Sequence, residues 1–292
     1  MEAIERLLHE AGERVVYALG PDGRRVHAGI AYAAVGTSSP IQDGDAVYLV
    51  ECGGPWLDTP TAVRIDHHRP GDPGYGRPPR EFMNASSLGQ VAIHLAARGV
   101  SLPWRHQHGG GFWGNWEGPT WRWSDAAIAG VEHYDGGAWV LAHELADALV
   151  PPIEIILTAV ADHCLRAAYL GYCPGVNPDA LMRWRAEGRA SFQRRPVAEV
   201  LADIERAIAA LRAAPTVEIA GVAVADLGDA TVPEAPEAAC RLGIPFLAVV
   251  PDRDGRHKQV LQAAPAEVIS AWMAIHPGSY GDPARGFAGR YL

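Results

Sequence analysis

Asp66, His67 and His68 follow one another at the end of a short apolar run, in "RIDHHRPGDPGYG", just before a loop of prolines and glycines. Neutral imidazoles and carboxylates are ligands for divalent ions such as Mn²⁺, Zn²⁺ or Fe²⁺, and strand ends can bring two or three of them together without a dedicated metal loop. A bare D-H-H triplet also fits a plainer arrangement, a turn capped by Asp66 with solvated histidines. Other groups of the same chemistry stand at comparable places: Asp22 in "ALGPDG", Glu51 in "VYLVECGG" and the Asp162-His163 pair in "LTAVADH". His106 and His108 in "RHQH" alternate onto one side of an extended chain, and Asp58, His133 and His143 complete the candidates. "HEL" at 143–145 is not the H-E-x-x-H zinc motif, because the residue four beyond His143 is Asp147.

These groups need elements to hold them. Residues 2–11 pattern as an amphipathic helix, "RVVYALG" as a strand broken by "GPDG", and the Ala-rich 24–36 as a helix. "DAVYLVECGG" and "TAVRID" follow as buried strands. Strand, helix, strand, strand favours an α/β layer with a mostly parallel sheet flanked by helices. In such sheets functional groups gather beyond the carboxyl ends of the strands, which is where Asp22, Glu51 and Asp66 fall. "NASSLGQVAIHLAARG" starts with cap-capable Asn84 and serines and continues as a helix to about residue 98. The Trp-, His- and Gly-rich stretch around 101–124 holds five of the nine tryptophans and has the length of a lid or binding wall. Its tryptophans would stack on a base or simply form local core. A helix over 193–215 then leads to strands in "VEIAGVAVADL" and "IPFLAVVPD". The expected division is 1–195 and 196–292, the second part a smaller α/β domain.

The 292 residues are 48% hydrophobic and 20% charged, the make-up of an ordinary globular chain. A net charge of −9 argues against a broad basic face for duplex nucleic acid. Cys52, Cys164, Cys173 and Cys240 are dispersed without a C-x-x-C pair, which suits a reducing, cytoplasmic setting. The most apolar stretch, 138–161, is broken by charges and prolines, so no membrane span is expected. The oligomeric state stays open, a homodimer included.

On these motifs the chain resembles the DHH phosphoesterase family, whose members hydrolyse phosphate esters or anhydrides with two divalent metals, commonly Mn²⁺. The D-H-H motif is Asp66, His67 and His68, followed by a small-residue helix start in "NASSLGQV". The family's H-x-D-x-D-G is matched by "ALGPDG", its strand-end aspartate by Glu51, and its last aspartate by Asp162 in "LTAVADH". "GDPARGFAG" is similar to the glycine-rich substrate loop of the family's second, DHHA1-type domain. The resemblance implies that Asp22, Glu51, His67 and Asp162 hold one metal, with His163 beside them, Mn²⁺ being the expected ion and Zn²⁺, Fe²⁺ or Mg²⁺ alternatives. It implies that Asp66 orients a histidine or a water, that His68 serves as proton donor, and that Arg285, Gly286 and Gly289 receive phosphate. The second metal would have lost its ligands, because Ala18 and Gly20 stand where the family has histidine and aspartate.

The function expected is a metal-dependent phosphohydrolase acting on a nucleotide or small phosphorylated metabolite. Its rivals are a family member that binds such a molecule without hydrolysing it, and a hydrolase or lyase of a non-phosphate substrate.

Overall fold

The computed structural model describes residues 1–27, 30–42, 44–55, 57, 61–100, 153–251, 256–283 and 286–292, with the backbone of four short strands between 115 and 140. The chain divides into two units, one of Met1–Cys164 and Cys173–Gly175, the other of Leu165–Tyr172 and Val176–Leu292. That divide lies ahead of the 195/196 boundary expected from sequence.

In the first unit, helix α1 (Glu2–Glu10) buries Ile4 and Leu7, one turn apart on one face. Strand β1 (Ala18–Leu19) pairs antiparallel with β2 (Gly36–Thr37). The chain between them first folds back on itself: Leu19 bridges to Arg25, and the Gly20 amide donates to the Arg24 carbonyl at 2.8 Å. The helix expected over 24–36 is not formed among the described residues. Its amides donate elsewhere, Ala34 to Gly53 O and Val35 to Leu19 O. Gly29 and the β-branched Val26, Ile30 and Val35 explain the weakness of that helix against competing partners.

Strands β3 (Tyr48–Val50) and β4 (Val63–Ile65) are parallel, with Tyr48 opposite Val63 and Val50 opposite Ile65. After them come α2 (Phe82–Ala85) and α3 (Ser87–Ala97), where Ser86 caps α3 by accepting the Gly89 N–H. Strands β5 (Asn115–Trp116) and β6 (Trp121–Arg122) form one antiparallel pair, and β7 (His133–Asp135) and β8 (Ala138–Val140) another. Helix α4 (Ile153–His163) packs on α2 and α3. The rest of the 101–124 stretch lies outside the described residues, as do Asp58, His106, His108, His143 and Arg285.

The second unit contains α5 (Leu165–Tyr169), α6 (Pro178–Gln193) and α7 (Val197–Ala213), then β9 (Thr216–Ile219) and β10 (Val222–Asp226). After them come α8 (Ala235–Leu242), β11 (Phe246–Pro251), β12 (His257–Gln262), α9 (Ala266–Ala274), β13 (Tyr280–Asp282) and β14 (Phe287–Tyr291). Its six-stranded sheet has the order β13-β14-β12-β11-β10-β9. Alternate residues face opposite cores, as the strand period of two requires. Ala225, Phe246, Ala248 and Val260 pack with Ala207 and Leu211 of α7 and Ala238 of α8, while Val224, Leu247 and Leu261 pack with Ile269 and Trp272 of α9.

The architecture is α/β with helices and a mixed sheet; in the first unit, where a mostly parallel sheet was expected, β3 and β4 are parallel but β1 and β2 are antiparallel. Only β10 and β11 run parallel in the large sheet, joined through α8, and the other neighbours are antiparallel. In the second unit "VEIAGVAVADL" is not the one strand expected but a hairpin, turned at Ala220 and Gly221, both at positive φ. No helix among the described residues is long and apolar enough to cross a membrane.

Candidate metal centre

Glu51 follows β3, and Asp66, His67 and His68 follow β4, so parallel pairing delivers all four to the same end of the two strands. Ligand-capable atoms of Glu51, His67 and His68 lie within 4.8 Å of one another. Donors about 2.1 Å from a common ion can be at most about 4 Å apart, so small side-chain adjustments would close this group on one. Two imidazoles and a carboxylate form a donor set suited to Mn²⁺, Zn²⁺ or Fe²⁺. Asp162, at the end of α4, puts Oδ2 3.8 Å from His67 Nδ1 and can supply a second carboxylate.

Glu51 adopts φ 51°, the left-handed region that non-glycine residues seldom occupy. Its amide still donates to Ile65 O at 3.0 Å. The strand pair therefore continues up to the point where the side chain is turned toward the histidines.

Asp66 is fully buried. Its Oδ2 accepts from the Tyr32 hydroxyl at 2.7 Å, and its Oδ1 accepts from the amides of His67 and His68 and lies 2.7 Å from His68 Nδ1. Burial alone would raise its pKa, but the hydrogen bonds from His68, Tyr32 and the His67 amide outweigh it and hold it down to about 2. An ionised Asp66 requires the proton on His68 Nδ1, which places the lone pair on Nε2. Gln90 fixes the backbone of the same residue, its Oε1 accepting the Asp66 N–H and its Nε2 donating to Asp66 O and Ala85 O. The Arg69 guanidinium lies over the Tyr32 ring at 3.3 Å.

The loop after His68 needs Gly74. Its N–H donates to Asp66 O, and an added Cβ would stand 2.0 Å from Ala85 O and 2.7 Å from His67 Cβ. The His67 ring stacks on His68, meets His163 edge-on, and has Ser87 Oγ 3.3 Å from Nδ1. His163 donates from Nε2 to Arg77 O at 3.1 Å, so Nδ1 carries its lone pair, buried and without a hydrogen-bond partner among the described residues.

Surrounding protein and the nearby Glu51 carboxylate push the Asp162 pKa up to about 7. The folded chain thus binds a proton at Asp162 more tightly than the unfolded chain does. The associated stability is complete below the ordinary carboxylate range and is lost as pH rises through about 7.

Asp22 is not among the convergent side chains. Asp22 is exposed on the turn after β1, where Oδ1 accepts the Arg24 N–H. Its "GPDG" is a reverse turn, which explains why the carboxylate serves its own backbone. In the second unit the Gly286 amide donates to Pro283 O, and Gly289 sits within β14 between Val260 and Tyr280, where a Cβ would strike the Tyr280 ring. Arg285 lies outside the described residues. His133 lies in β7, and its side chain is likewise outside them. Sequence reading missed Tyr32, Ser87 and Gln90. Only Ser87 and Gln90 carried a signal, as polar residues among the small and apolar residues of "SLGQVAIHLAA".

No protein-family model, no curated protein and no solved structure matches this chain.

Proposed function

We propose that this chain is a metal-dependent phosphohydrolase acting on a nucleotide or another small phosphorylated metabolite, with a DHH-like first unit. The observation that carries it is the convergence of Glu51, His67 and His68 beyond the carboxyl ends of parallel β3 and β4. A divalent ion there supplies Lewis acidity, acidifying water and polarising a phosphoryl oxygen. Glu51, His67, His68 and Asp162 are the residues that hold it. Asp66 fixes the tautomer of His68, and Tyr32 and Gln90 fix Asp66, the kind of outer support that sets ligand orientation and basicity.

A second reading, binding without hydrolysis, draws on Ala18, Gly20 and the exposed turn position of Asp22. None of these three supplies the second ion of a two-metal phosphoesterase.

The test loads the protein with Mn²⁺, desalts it, counts metal by mass spectrometry, and assays phosphate release from nucleoside monophosphates and p-nitrophenyl phosphate. About one metal per chain is expected, lost in His67→Ala together with turnover. Metal without turnover on any phosphate substrate supports the second reading. No metal in the wild type overturns both the metal site and the hydrolase.

A further inference from the structure

We infer that the cavity beside Glu51 is the seat of the substrate's organic body, and that this body is an uncharged planar heterocycle. The inference deepens the hydrolase reading and rests on it for the word substrate, because the cavity meets the metal-ligand group through Glu51.

The cavity measures about 570 Å³ and lies wholly within the first unit, in the size range of small-molecule pockets. Ile4 and Leu8 of α1, Leu49 of β3, and Val91 and Leu95 of α3 give it apolar walls. Glu51 lines it too, so one residue belongs both to the cavity and to the convergent group. A molecule filling the cavity would direct a substituent toward His67 and His68.

Charge narrows the class of occupant. The three arginines of the lining are already committed to acids: Arg14 to Asp45, Arg25 to Glu5, and Arg98 to Glu13. A phosphate or carboxylate placed among them would bring further negative charge beside Glu5, Glu13, Asp45 and Glu51 of the same lining, whereas an uncharged group would not. The anionic part of the substrate therefore belongs at the metal-ligand end.

One polar group in the wall remains uncommitted. His94, on α3, meets the Tyr48 ring edge-on at 5.4 Å and makes no side-chain hydrogen bond to the described residues. Burial pushes its pKa below the usual histidine value, so it is a neutral imidazole with one donor and one acceptor. That pair matches the alternating N–H and C=O or ring-nitrogen edge of a heterocycle. A plain acyl chain would leave both unsatisfied, which is costly in an enclosed site. Tyr17 and Tyr48 add aromatic surface to the same wall.

The experiment measures binding of the uncharged ribonucleosides adenosine, guanosine, cytidine and uridine to metal-free full-length protein, by calorimetry and saturation-transfer NMR. At least one is expected to bind. Leu8→Trp, which fills the cavity from α1, is expected to abolish that binding, and His94→Leu, which keeps its shape, to weaken it about tenfold. His67→Ala should bind the nucleoside as the wild type does. Thermal melts identify any variant that fails to fold, and the wild-type titration still decides in that case. The inference is overturned if no nucleoside binds, if Leu8→Trp binds as well as wild type, or if decanol competes while His94→Leu has no effect. Loss of the metal site with nucleoside binding intact would remove the hydrolase and leave the heterocycle pocket standing.

Discussion

The two units differ in how they hold their most buried acids. Among the described residues of the second unit the three buried acids are each met by arginine: Glu237 by Arg185, Glu234 by Arg189, and Asp203 by Arg195 and Arg206. In the first unit Asp72 lies 3.9 Å from Arg64, but the fully buried Asp66 has no arginine on its carboxylate among the described residues and is held by Tyr32, two amides and His68. Nearby, Glu51 raises the cost of ionising Asp162 and sits at positive φ, and His163 Nδ1 is buried without a partner among the described residues. The second unit uses its charges to hold itself together. The first leaves donor capacity unspent in one place, and departures of this kind from local consistency mark functional sites more often than random positions.

The hardest test of that contrast is Glu237→Ala. The Glu237 carboxylate takes three bonds from Arg185, two of them from a shared Nε–H, and one from the Tyr169 hydroxyl. Burial and this carboxylate drive the Tyr169 pKa upward. Removing the acid strands a guanidinium and a phenol in the interior, an expected loss of about 3–5 kcal/mol. Urea unfolding followed by circular dichroism measures it. A loss below about 1 kcal/mol, the scale of a surface ion pair, would mean that the second unit does not depend on its paired charges.

How far the sequence discloses each unit follows from the same physics. Buried strands announce themselves by apolar runs between glycines, so β3, β4 and β11 were legible. The β9–β10 hairpin was not, because its turn is Ala220-Gly221 and lacks the Asn or Asp that usually marks two positive φ values. Alanine content suggested a helix over 24–36, yet those amides find partners on Leu19 and Gly53, residues distant in sequence. Asp66, His67 and His68 could be singled out because three metal-capable side chains in a row are unusual. Nothing in the sequence singled out Tyr32, since its role exists only once the chain has folded back over β4.

Tyr32 also allows a milder probe of the first unit. Tyr32→Phe removes the hydroxyl donor to Asp66 Oδ2 and keeps the ring under Arg69. A hydrogen bond to a buried ionised acid is worth about 2 kcal/mol, so the midpoint of unfolding should fall accordingly. Because Asp66 orients His68, Mn²⁺ affinity should also fall, by about tenfold, as it does when the outer partner of a metal ligand is lost. Calorimetric titration with Mn²⁺ separates the two effects. A destabilised protein with unchanged affinity would reduce Tyr32 to packing and detach Asp66 from the site.

The smallest change in stability is expected where the change in function is greatest, at Glu51. A non-glycine residue in the left-handed region costs roughly 1–2 kcal/mol. Glu51→Gly removes that cost and adds the entropy penalty of glycine, roughly 0.5–1 kcal/mol, so the two nearly cancel. Glu51→Ala removes the same carboxylate but keeps a Cβ at φ 51°. The glycine variant should therefore unfold at the wild-type urea midpoint or slightly above it, and the alanine variant below the glycine one, while both lose Mn²⁺. Equal midpoints for glycine and alanine would show that no strain is stored at the end of β3. Lower stability in the glycine variant than in wild type would give the Glu51 side chain a structural role in the apo protein and weaken the contrast between the two units.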